Sequence, residues 1–389
     1  MARELRVGLI GYAFMGKAHS NAYIKAPVFF PEIAARPVMQ VICGRNAQKV
    51  QQAAAQYGWA RYETDWRKVV AADDVDLIDV STPNNTHAEI SIAAAEHKKH
   101  VFCEKPMALT LSQAKEMRDA AREHGVKHMI AFNYRRVPAV TYAKQLIEQG
   151  KLGTIYHMRA VYLQDWILDP SFPVVWRLDA SQAGSGALGD LGAHILDLAY
   201  YLVGEIKAVC AATATFIKER PIAGEAGGLS AAAEEAARKA TVTVDDAFVA
   251  CALFENGALG TFEATRFANG RKNYNRFEIN GSKGSIVFNL ERMNELEYFS
   301  RDDEPGTQGY RVILVTNGQQ HPYVGHWWPE GHIIGWEHTH IHQVADLLDA
   351  IGNDQMPCPS FDDGVKNQAV LEAVATAAQT RQWEEVPKV

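Results

Sequence analysis

The first 133 residues alternate short apolar runs with stretches of helical composition, and this alternation constrains the fold more than any other feature. Strands separated by helices of this length predict a parallel sheet with right-handed crossovers. The predicted strands are Leu5–Ile10, Val38–Cys43, Leu77–Val80, His100–Cys103 and Met129–Phe132. The predicted helices between them are Met15–Ala26, Ala47–Tyr57, His87–Glu96 and Leu111–Gly125.

The pattern changes after Asn133, where strand-like runs joined by hairpin-type turns become dominant. This change predicts a sheet that is mostly antiparallel, with helices on one face. The predicted strands are Ile155–Gln164, Ala208–Ile217, Phe248–Phe254, Ala258–Thr265, Arg276–Ile279 and Ser285–Asn289. The predicted helices are Ala139–Gln149, Leu188–Val203 and Gly364–Gln382.

A chain of 389 residues is long enough for two domains. We predict an α/β domain over residues 1–133 and an α+β domain with a large, open sheet over residues 134–389. The last helix, 364–382, is expected to pack back on the first domain. The segment Pro221–Lys239 is rich in Ala, Glu and Gly, which predicts a surface excursion.

The composition excludes several classes of protein. The net charge of −7 gives no basic surface for nucleic acid or an anionic membrane, and no apolar run is long enough to span a bilayer. We expect no signal peptide, and the five scattered cysteines predict reduced thiols in a cytoplasmic protein. Four of them lie in apolar runs and are predicted core residues, namely Cys43, Cys103, Cys210 and Cys251.

The turn after the first strand resembles the dinucleotide-binding pattern G-x-G-x-x-G, with alanine at its middle position. Gly11 can form the tight turn, and Gly16 lets the helix pack closely on the strand. Ala13 adds one methyl group where the backbone approaches the pyrophosphate. The helix that begins near Phe14 and Met15 then offers N–H groups to the phosphates. These five residues are candidate cofactor contacts.

The end of the second strand bears on the choice between NAD and NADP. A carboxylate there would bind the adenosine ribose, but the chain has Gly44-Arg45 at this place. Arg45 can pair with a 2′-phosphate, which favours NADP slightly. The alternative is that Arg45 stacks on the adenine or faces solvent.

Three later motifs carry a resemblance to a known family. They are Ser81–His87 (STPNNTH), Cys103–Pro106 (CEKP) and Gly186–His194 (GALGDLGAH). In the last motif Asp190 and His194 are four residues apart, so they share one face of a helix. Together with the glycine turn, these motifs resemble the glucose–fructose oxidoreductase/inositol dehydrogenase (Gfo/Idh/MocA) family over essentially the whole chain.

The resemblance implies a Rossmann domain, an NAD or NADP cofactor, no metal ion, and a homodimer or homotetramer that pairs the open sheet faces. It also implies that the loops after the third and fourth predicted strands lie beside the cofactor. The candidate contacts there are Thr82, Pro83, Asn84, His87, Glu104 and Lys105.

Three residues are candidate catalytic groups. Oxidation of a secondary alcohol needs a base within hydrogen-bond reach of the hydroxyl, and histidine changes charge near neutral pH. His194 is therefore the predicted base. The resemblance implies that Lys105 contacts the reacting oxygen and that Asp190 holds the substrate hydroxyl or the catalytic groups. The alternative for Asp190 and His194 is an ordinary surface pair.

Two segments, Phe132–Arg136 and Tyr162–Trp166, resemble family members that oxidise a sugar ring hydroxyl at C3. Aromatic rings pack on the C–H faces of sugars, whereas polar groups fix the hydroxyls. For any single tryptophan, core packing is an equal alternative. The candidate substrate contacts are Lys105, Tyr134, Gln164, Asp165, Trp166, Trp176, Arg177, Asp190 and His194.

The segment Trp327–His342 is rich in histidine and tryptophan. Zinc binding is one interpretation, but the segment has no nearby cysteine and no H-E-x-x-H motif. We expect it to fold over the second domain or to reach a neighbouring subunit.

The leading hypothesis is an NAD(P)-dependent dehydrogenase that acts on a sugar, a glycoside or an anhydrosugar. The alternative is an enzyme that oxidises C3 transiently, eliminates the glycosidic substituent and reduces the sugar again. A non-catalytic sugar sensor is disfavoured because Lys105, Asp190 and His194 are all present.

Overall fold

The computed structural model describes residues 3–222 and 238–389, so most of the predicted excursion Pro221–Lys239 lies outside the described residues. Two compact units can be distinguished, and a domain boundary at residue 133 stays a proposal. The first unit contains Met1–Arg136, His326–Trp328 and Ile334–Val365. The second unit contains Val137–Gly325, Pro329–Ile333 and Lys366–Val389. No helix in the described ranges is long and apolar enough to cross a membrane.

The first unit has a sheet of six strands in the order β3-β2-β1-β4-β5-β6. All its strand pairs are parallel, as the alternating pattern predicts, but the pattern indicated five strands and did not include β3. The central strand β4 is buried along its whole length, which is typical of a sheet covered on both faces. The strands are β1 Arg3–Ile10, β2 Ala35–Cys43, β3 Arg61–Glu63, β4 Leu77–Val80, β5 His100–Cys103 and β6 His128–Ile130.

Five helices follow the strands of this sheet. Polar side chains cap the N-termini of several of them. The Asn46 side chain accepts a hydrogen bond from the Lys49 N–H, and the Thr110 side chain accepts one from the Gln113 N–H. The helices are α1 Phe14–Phe29, α2 Ala47–Tyr57, α3 Trp66–Val70, α4 His87–Glu96 and α5 Leu111–Glu123.

The second unit contains a nine-stranded sheet in the order β16-β15-β14-β13-β7-β12-β11-β8-β17, and a separate ribbon of β9 and β10. Only β7 and β12 pair in parallel in this sheet, so the prediction of a mostly antiparallel sheet is confirmed. The strands are β7 Ile155–Leu163, β8 Ile206–Ala214, β9 Glu219–Pro221, β10 Lys239–Thr241, β11 Ala247–Phe254, β12 Leu259–Thr265, β13 Tyr274–Gly281, β14 Gly284–Asn289, β15 Glu295–Ser300, β16 Arg311–Leu314 and β17 Glu384–Glu385.

One face of this sheet is buried and the other is exposed. Along β11, Phe248 and Ala250 point into the core, whereas Val249, Cys251 and Leu253 are exposed. The prediction that Cys251 is a core residue is therefore wrong, because side chains alternate between the two faces of a strand. Cys210, its neighbour across the strands, is only partly buried.

The helices of the second unit include the one that carries the family motif. The predicted helix Leu188–Val203 begins as a π-helical turn, Leu188–Gly192, and continues as an α-helix. The α-helices are α6 Pro138–Glu148, α7 Ala180–Ala183 and α8 Ala193–Leu202.

The last two helices are α9 Glu337–Gly352 and α10 Phe361–Thr380, and strand β17 follows them. Within the first unit, α9 packs against α1, where Trp336 stacks on Phe14. Most of the histidine- and tryptophan-rich segment therefore belongs to the first unit, and Pro329–Ile333 belongs to the second. Helix α10 contributes its first turn to the first unit and its remainder, from Lys366, to the second.

Candidate active site

The turn between β1 and α1 accepts only glycine at its first and last positions. Gly11 has a φ angle of +116°, and a Cβ atom there would lie 2.3 Å from the Ser81 carbonyl oxygen. A Cβ atom on Gly16 would lie 2.1 Å from the Gly11 carbonyl oxygen. The turn is therefore held close to the loop after β4, as a dinucleotide site requires.

The start of α1 is open to a ligand. Ala13 and Phe14 are exposed, and among the described residues no side chain caps the first turn of the helix. Its N–H groups and partial positive charge are therefore available to an anionic group. This arrangement fits the pyrophosphate of a nicotinamide dinucleotide.

The end of β2 lacks the carboxylate that commonly binds the adenosine ribose, and Tyr12 occupies the space beside Gly44. A Cβ atom on Gly44 would lie 2.1 Å from ring carbons of Tyr12. An acidic side chain at position 44 would require Tyr12 to move. Arg45, the next residue, is exposed and available to a ligand.

His87 connects the two loops that carry the STPNNTH and CEKP motifs. Its ring nitrogens lie 3.0 Å from the Thr82 carbonyl oxygen and 3.0 Å from the Pro106 carbonyl oxygen. The side chain is fully buried, and this burial lowers the pKa of His87. A neutral imidazole carries one N–H, so His87 donates a hydrogen bond to one of these carbonyl oxygens and lies next to the other.

A buried cluster of polar side chains lies between α1 and the ends of β4 and β5. His19 Nδ1 is 2.9 Å from Asp79 Oδ2, and His19 Nε2 is 3.0 Å from Glu104 Oε1. The second oxygen of Glu104 accepts a hydrogen bond of 3.2 Å from the backbone N–H of Lys105. The Tyr23 hydroxyl donates to Asp79 at 2.9 Å. The cluster therefore links the dinucleotide turn helix to the backbone of the predicted catalytic lysine.

The two carboxylates decide the charge of His19. Burial alone would lower the pKa of His19, but Asp79 and Glu104 outweigh it and raise the pKa to about 10. The adjacent His340, whose ring lies 5.7 Å from that of His19, is also buried, and burial lowers the pKa of His340 to about 3. His19 is therefore an imidazolium at neutral pH, and His340 is neutral.

This charge state predicts a pH dependence of stability. A pKa raised in the folded state contributes stability that is complete below the unfolded value of about 6.5 and is lost as the pH rises through about 10. The groups facing His19 are Asp79, Glu104, Tyr23 and His340. We expect the difference in unfolding free energy between wild type and His19→Asn to shrink between pH 7 and pH 10.

A matched control for this measurement is His128→Asn. Burial lowers the pKa of His128 to about 4, so this histidine is neutral over the same range. Urea titrations should show a constant difference for His128→Asn and a decreasing one for His19→Asn. A His19→Asn difference that does not change with pH would show that His19 is not charged.

In the second unit, the motif Gly186–His194 lies at the start of the helix that ends with α8. The carboxylate of Asp245 accepts hydrogen bonds from the backbone N–H groups of Gly186, at 2.7 Å, and Leu188, at 2.8 Å. The π-helical turn that follows contains Asp190, and His194 lies in the first turn of α8. Such π-turns occur frequently at functional sites.

Asp190 and His194 have different surroundings. The Asp190 side chain is partly exposed, and its Oδ2 atom accepts a hydrogen bond of 3.1 Å from the buried guanidinium of Arg266. His194 is almost fully buried, and its ring centroid lies 5.8 Å from that of Tyr162. The pair is therefore not an ordinary surface pair.

Gln164 is part of a polar cluster on the strands beside Tyr162. The side-chain oxygen of Asn273 accepts hydrogen bonds from the Tyr162 hydroxyl, at 2.7 Å, and from Gln164 Nε2, at 2.9 Å. Because Tyr162 also contacts His194, the cluster connects a candidate substrate residue to the predicted base. Asn273 orients both side chains and was not singled out by the sequence patterns.

The other candidate substrate residues of the second unit have structural partners. Asp165 forms an ion pair of 2.8 Å with Lys272, and this lysine lowers the pKa of Asp165. Trp166 packs on a small apolar core, and the Arg177 guanidinium lies 4.3 Å from the centroid of the Trp176 ring. These contacts fix the side chains without burying them fully.

The first unit contains the candidate Tyr134 and part of the histidine- and tryptophan-rich segment. Tyr134 is buried in a short 3₁₀ turn after β6. Trp327 packs on Phe29, with ring centroids 4.2 Å apart, and donates a hydrogen bond of 2.7 Å to His342. Among residues 3–222 and 238–389, no group of three His, Cys, Asp or Glu side chains is placed to hold a metal ion.

Comparison with known proteins identifies the class. Residues 5–132 match the model of an oxidoreductase family with an NAD-binding Rossmann fold, and residues 140–287 match the Gfo/Idh/MocA C-terminal domain. The chain belongs to the Gfo/Idh/MocA family of oxidoreductases. The predictions of the family, the fold class and a nicotinamide-dependent dehydrogenase are confirmed.

Individual relatives cover the full length. The chain is 44% identical to levoglucosan dehydrogenase of Pseudarthrobacter phenanthrenivorans over 389 residues, which cover 100% of this chain and 99% of that protein. A crystal structure of an oxidoreductase domain protein from Kribbella flavida is 51% identical, covers 100% of both chains and has a TM-score of 0.93. A structure of levoglucosan dehydrogenase in complex with NADH and levoglucosan is 44% identical, also covers 100% of both chains and has a TM-score of 0.93.

Proposed function

We propose that the protein is an NAD-dependent dehydrogenase that oxidises a ring hydroxyl, at C3, of levoglucosan or a closely related sugar. The observation that carries this proposal is the full-length likeness to a levoglucosan dehydrogenase. The polar cluster of Gln164, Asn273 and Tyr162 beside His194 supports it, because an amide and a base suit a polyhydroxylated ligand, and the same helix carries the Asp190 carboxylate in its π-helical turn.

In this proposal three side chains perform the acid–base chemistry. His194 removes the hydroxyl proton, Lys105 stabilises the negative charge that develops on the oxygen, and Asp190 binds the same hydroxyl and orients it. The nicotinamide, when bound, accepts the hydride. His19 holds the Glu104 carboxylate, which accepts a hydrogen bond from the Lys105 backbone N–H. The backbone that carries the lysine side chain is therefore fixed.

The remaining candidates are assigned to binding. Gln164, Asp165 and Trp166 bind the sugar together with Trp176, Arg177 and Tyr134. The cofactor is held by the turn 11–16 and the loops that contain Thr82–His87 and Glu104–Lys105. We also propose a cytoplasmic location, which the five free cysteines support.

The alternative function is redox-neutral cleavage of a glycoside through transient oxidation at C3. The two functions differ in what accumulates. A dehydrogenase forms NADH in proportion to the sugar consumed, whereas the alternative enzyme releases an aglycone with no net NADH. Incubation with NAD and a panel of sugars, anhydrosugars and nitrophenyl glycosides distinguishes them, and we expect NADH with levoglucosan and no nitrophenol from the glycosides.

The cofactor is proposed to be NAD. The similar structure contains NADH, and the comparisons give no support to the NADP preference suggested by Arg45. If Arg45 contacts a 2′-phosphate, Arg45→Ala should lower kcat/KM with NADP by about tenfold, the value of one charge-assisted hydrogen bond, and leave kcat/KM with NAD unchanged. An unaltered ratio of the two values would show that Arg45 does not bind a phosphate.

We propose that two copies associate through the open face of the nine-stranded sheet. Leu259 and Val249 are 56% and 51% exposed on this face, where apolar side chains favour association. We expect Leu259→Arg to halve the mass at micromolar concentration, from dimer to monomer or from tetramer to dimer, as measured by light scattering. The control Met356→Arg, at an exposed apolar residue of the first unit, should not change the mass. A wild-type monomer would contradict the proposal.

A further inference from the structure

Arg266 is one of the largest fully buried side chains of the second unit, with 1% of its surface exposed. It follows the last residue of β12 and was not singled out by any sequence motif. A buried guanidinium is costly unless it is paired and hydrogen-bonded. Its partners therefore indicate what it is for.

Those partners converge on the family motif. One terminal nitrogen, Nη2, donates to Asp190 Oδ2 at 3.1 Å and to the Gly186 carbonyl oxygen at 3.0 Å. The other, Nη1, donates to the Arg177 carbonyl oxygen at 3.3 Å. The guanidinium also lies 5.4 Å from the centroid of the Trp166 ring. One side chain thus contacts three segments, each of which contains a candidate substrate residue, namely Trp166, Arg177 or Asp190.

We propose that Arg266 is a positioning residue that holds the Asp190 carboxylate in the orientation needed to bind the substrate hydroxyl, an assignment that rests on the proposed function. The planar guanidinium fixes the Oδ2 atom of the carboxylate, and the Asp190 side chain is still partly exposed while Arg266 is buried. The same guanidinium fixes the backbone at Gly186, where the π-helical turn with Asp190 begins.

Arg220 provides a matched control within the same unit. It is also fully buried, and it donates to the carbonyl oxygens of Ile167, Asp169 and Phe172. It therefore supports the loop that contains Trp166 and Trp176 through backbone contacts. If Arg266 had only a structural role, replacing Arg266 and replacing Arg220 should change kcat in the same way.

The experiment is a double-mutant cycle on the full-length protein. Arg266→Lys, Asp190→Asn and the double variant are compared by kcat and KM for levoglucosan, and a second cycle uses Arg220→Lys with Asp190→Asn. Arg266→Lys keeps the charge and should lower kcat by about tenfold, whereas Arg266→Met should lower it by about a hundredfold, the loss expected from misplacing a reacting group. NADH affinity, measured by fluorescence, should not change.

The double variants decide the outcome. If Arg266 acts through Asp190, Arg266→Lys should cause no further loss of kcat in the Asp190→Asn background, whereas the losses of Arg220→Lys and Asp190→Asn should multiply. If the losses of kcat multiply in both cycles while the wild type turns over normally, the positioning role of Arg266 is overturned and the proposed function stands. If the wild type forms no NADH with any sugar of the panel, the proposed function fails and this role fails with it.

Discussion

Replacing His194 by alanine is expected to lower the turnover number by about a hundred- to ten-thousand-fold, the usual loss when a general base is removed. The reason is that the alanine side chain cannot accept the hydroxyl proton. NADH affinity should stay near the wild-type value, since the proposed role of His194 is to take the hydroxyl proton and not to bind the cofactor. Steady-state kinetics and a fluorescence titration with NADH measure the two quantities.

A matched control and a rescue experiment make this prediction specific. His321→Ala removes another histidine of the second unit, which packs on Tyr142, and should keep near-full turnover. Added imidazole should restore part of the activity of His194→Ala. If His194→Ala keeps near-full turnover, another residue is the base, and Lys105 is the first candidate.

Replacing Gly16 by valine is expected to abolish cofactor binding. Even a Cβ atom at this position would lie 2.1 Å from the Gly11 carbonyl oxygen, so the turn and α1 must separate. The separation would move the helix N–H groups away from the pyrophosphate. The dissociation constant for NADH, measured by fluorescence or calorimetry, should rise beyond the measurable range.

The neighbouring position provides the control. Ala13 is exposed, and Ala13→Gly completes the G-x-G-x-x-G pattern by removing one methyl group. This variant should bind NADH at least as well as the wild type. Circular dichroism and thermal unfolding verify that Gly16→Val is folded. Unchanged NADH affinity in folded Gly16→Val would refute the placement of the cofactor at this turn.

The local features of the fold could be predicted from the sequence. Gly11 and Gly16 lie five residues apart, and Asp190 and His194 four apart, so their spacing indicates a turn and a helix face without knowledge of distant partners. The alternation of strands and helices likewise predicted that the strands of the first sheet are parallel. The short strand β3 had no counterpart in the prediction because three residues give no periodicity.

The features that depend on distant residues could not be predicted. His19 is paired with Asp79 and Glu104, which are 60 and 85 residues away, and Asp190 is paired with Arg266, 76 residues away. Helix α9 was missed because its buried positions include polar residues such as His340 and Gln343, which hide the apolar stripe. Only the fold brings these groups together.

The most direct test of the proposed function is the reaction of the wild-type protein with NAD and levoglucosan that carries deuterium at C3. We expect NADH to form in proportion to the sugar consumed and the deuterium to be found in the nicotinamide ring of the product. The rate of the chemical step should be lower than with unlabelled sugar. NADH that contains no deuterium would contradict oxidation at C3, and the absence of NADH with this and every other sugar tested would contradict the proposed dehydrogenase activity.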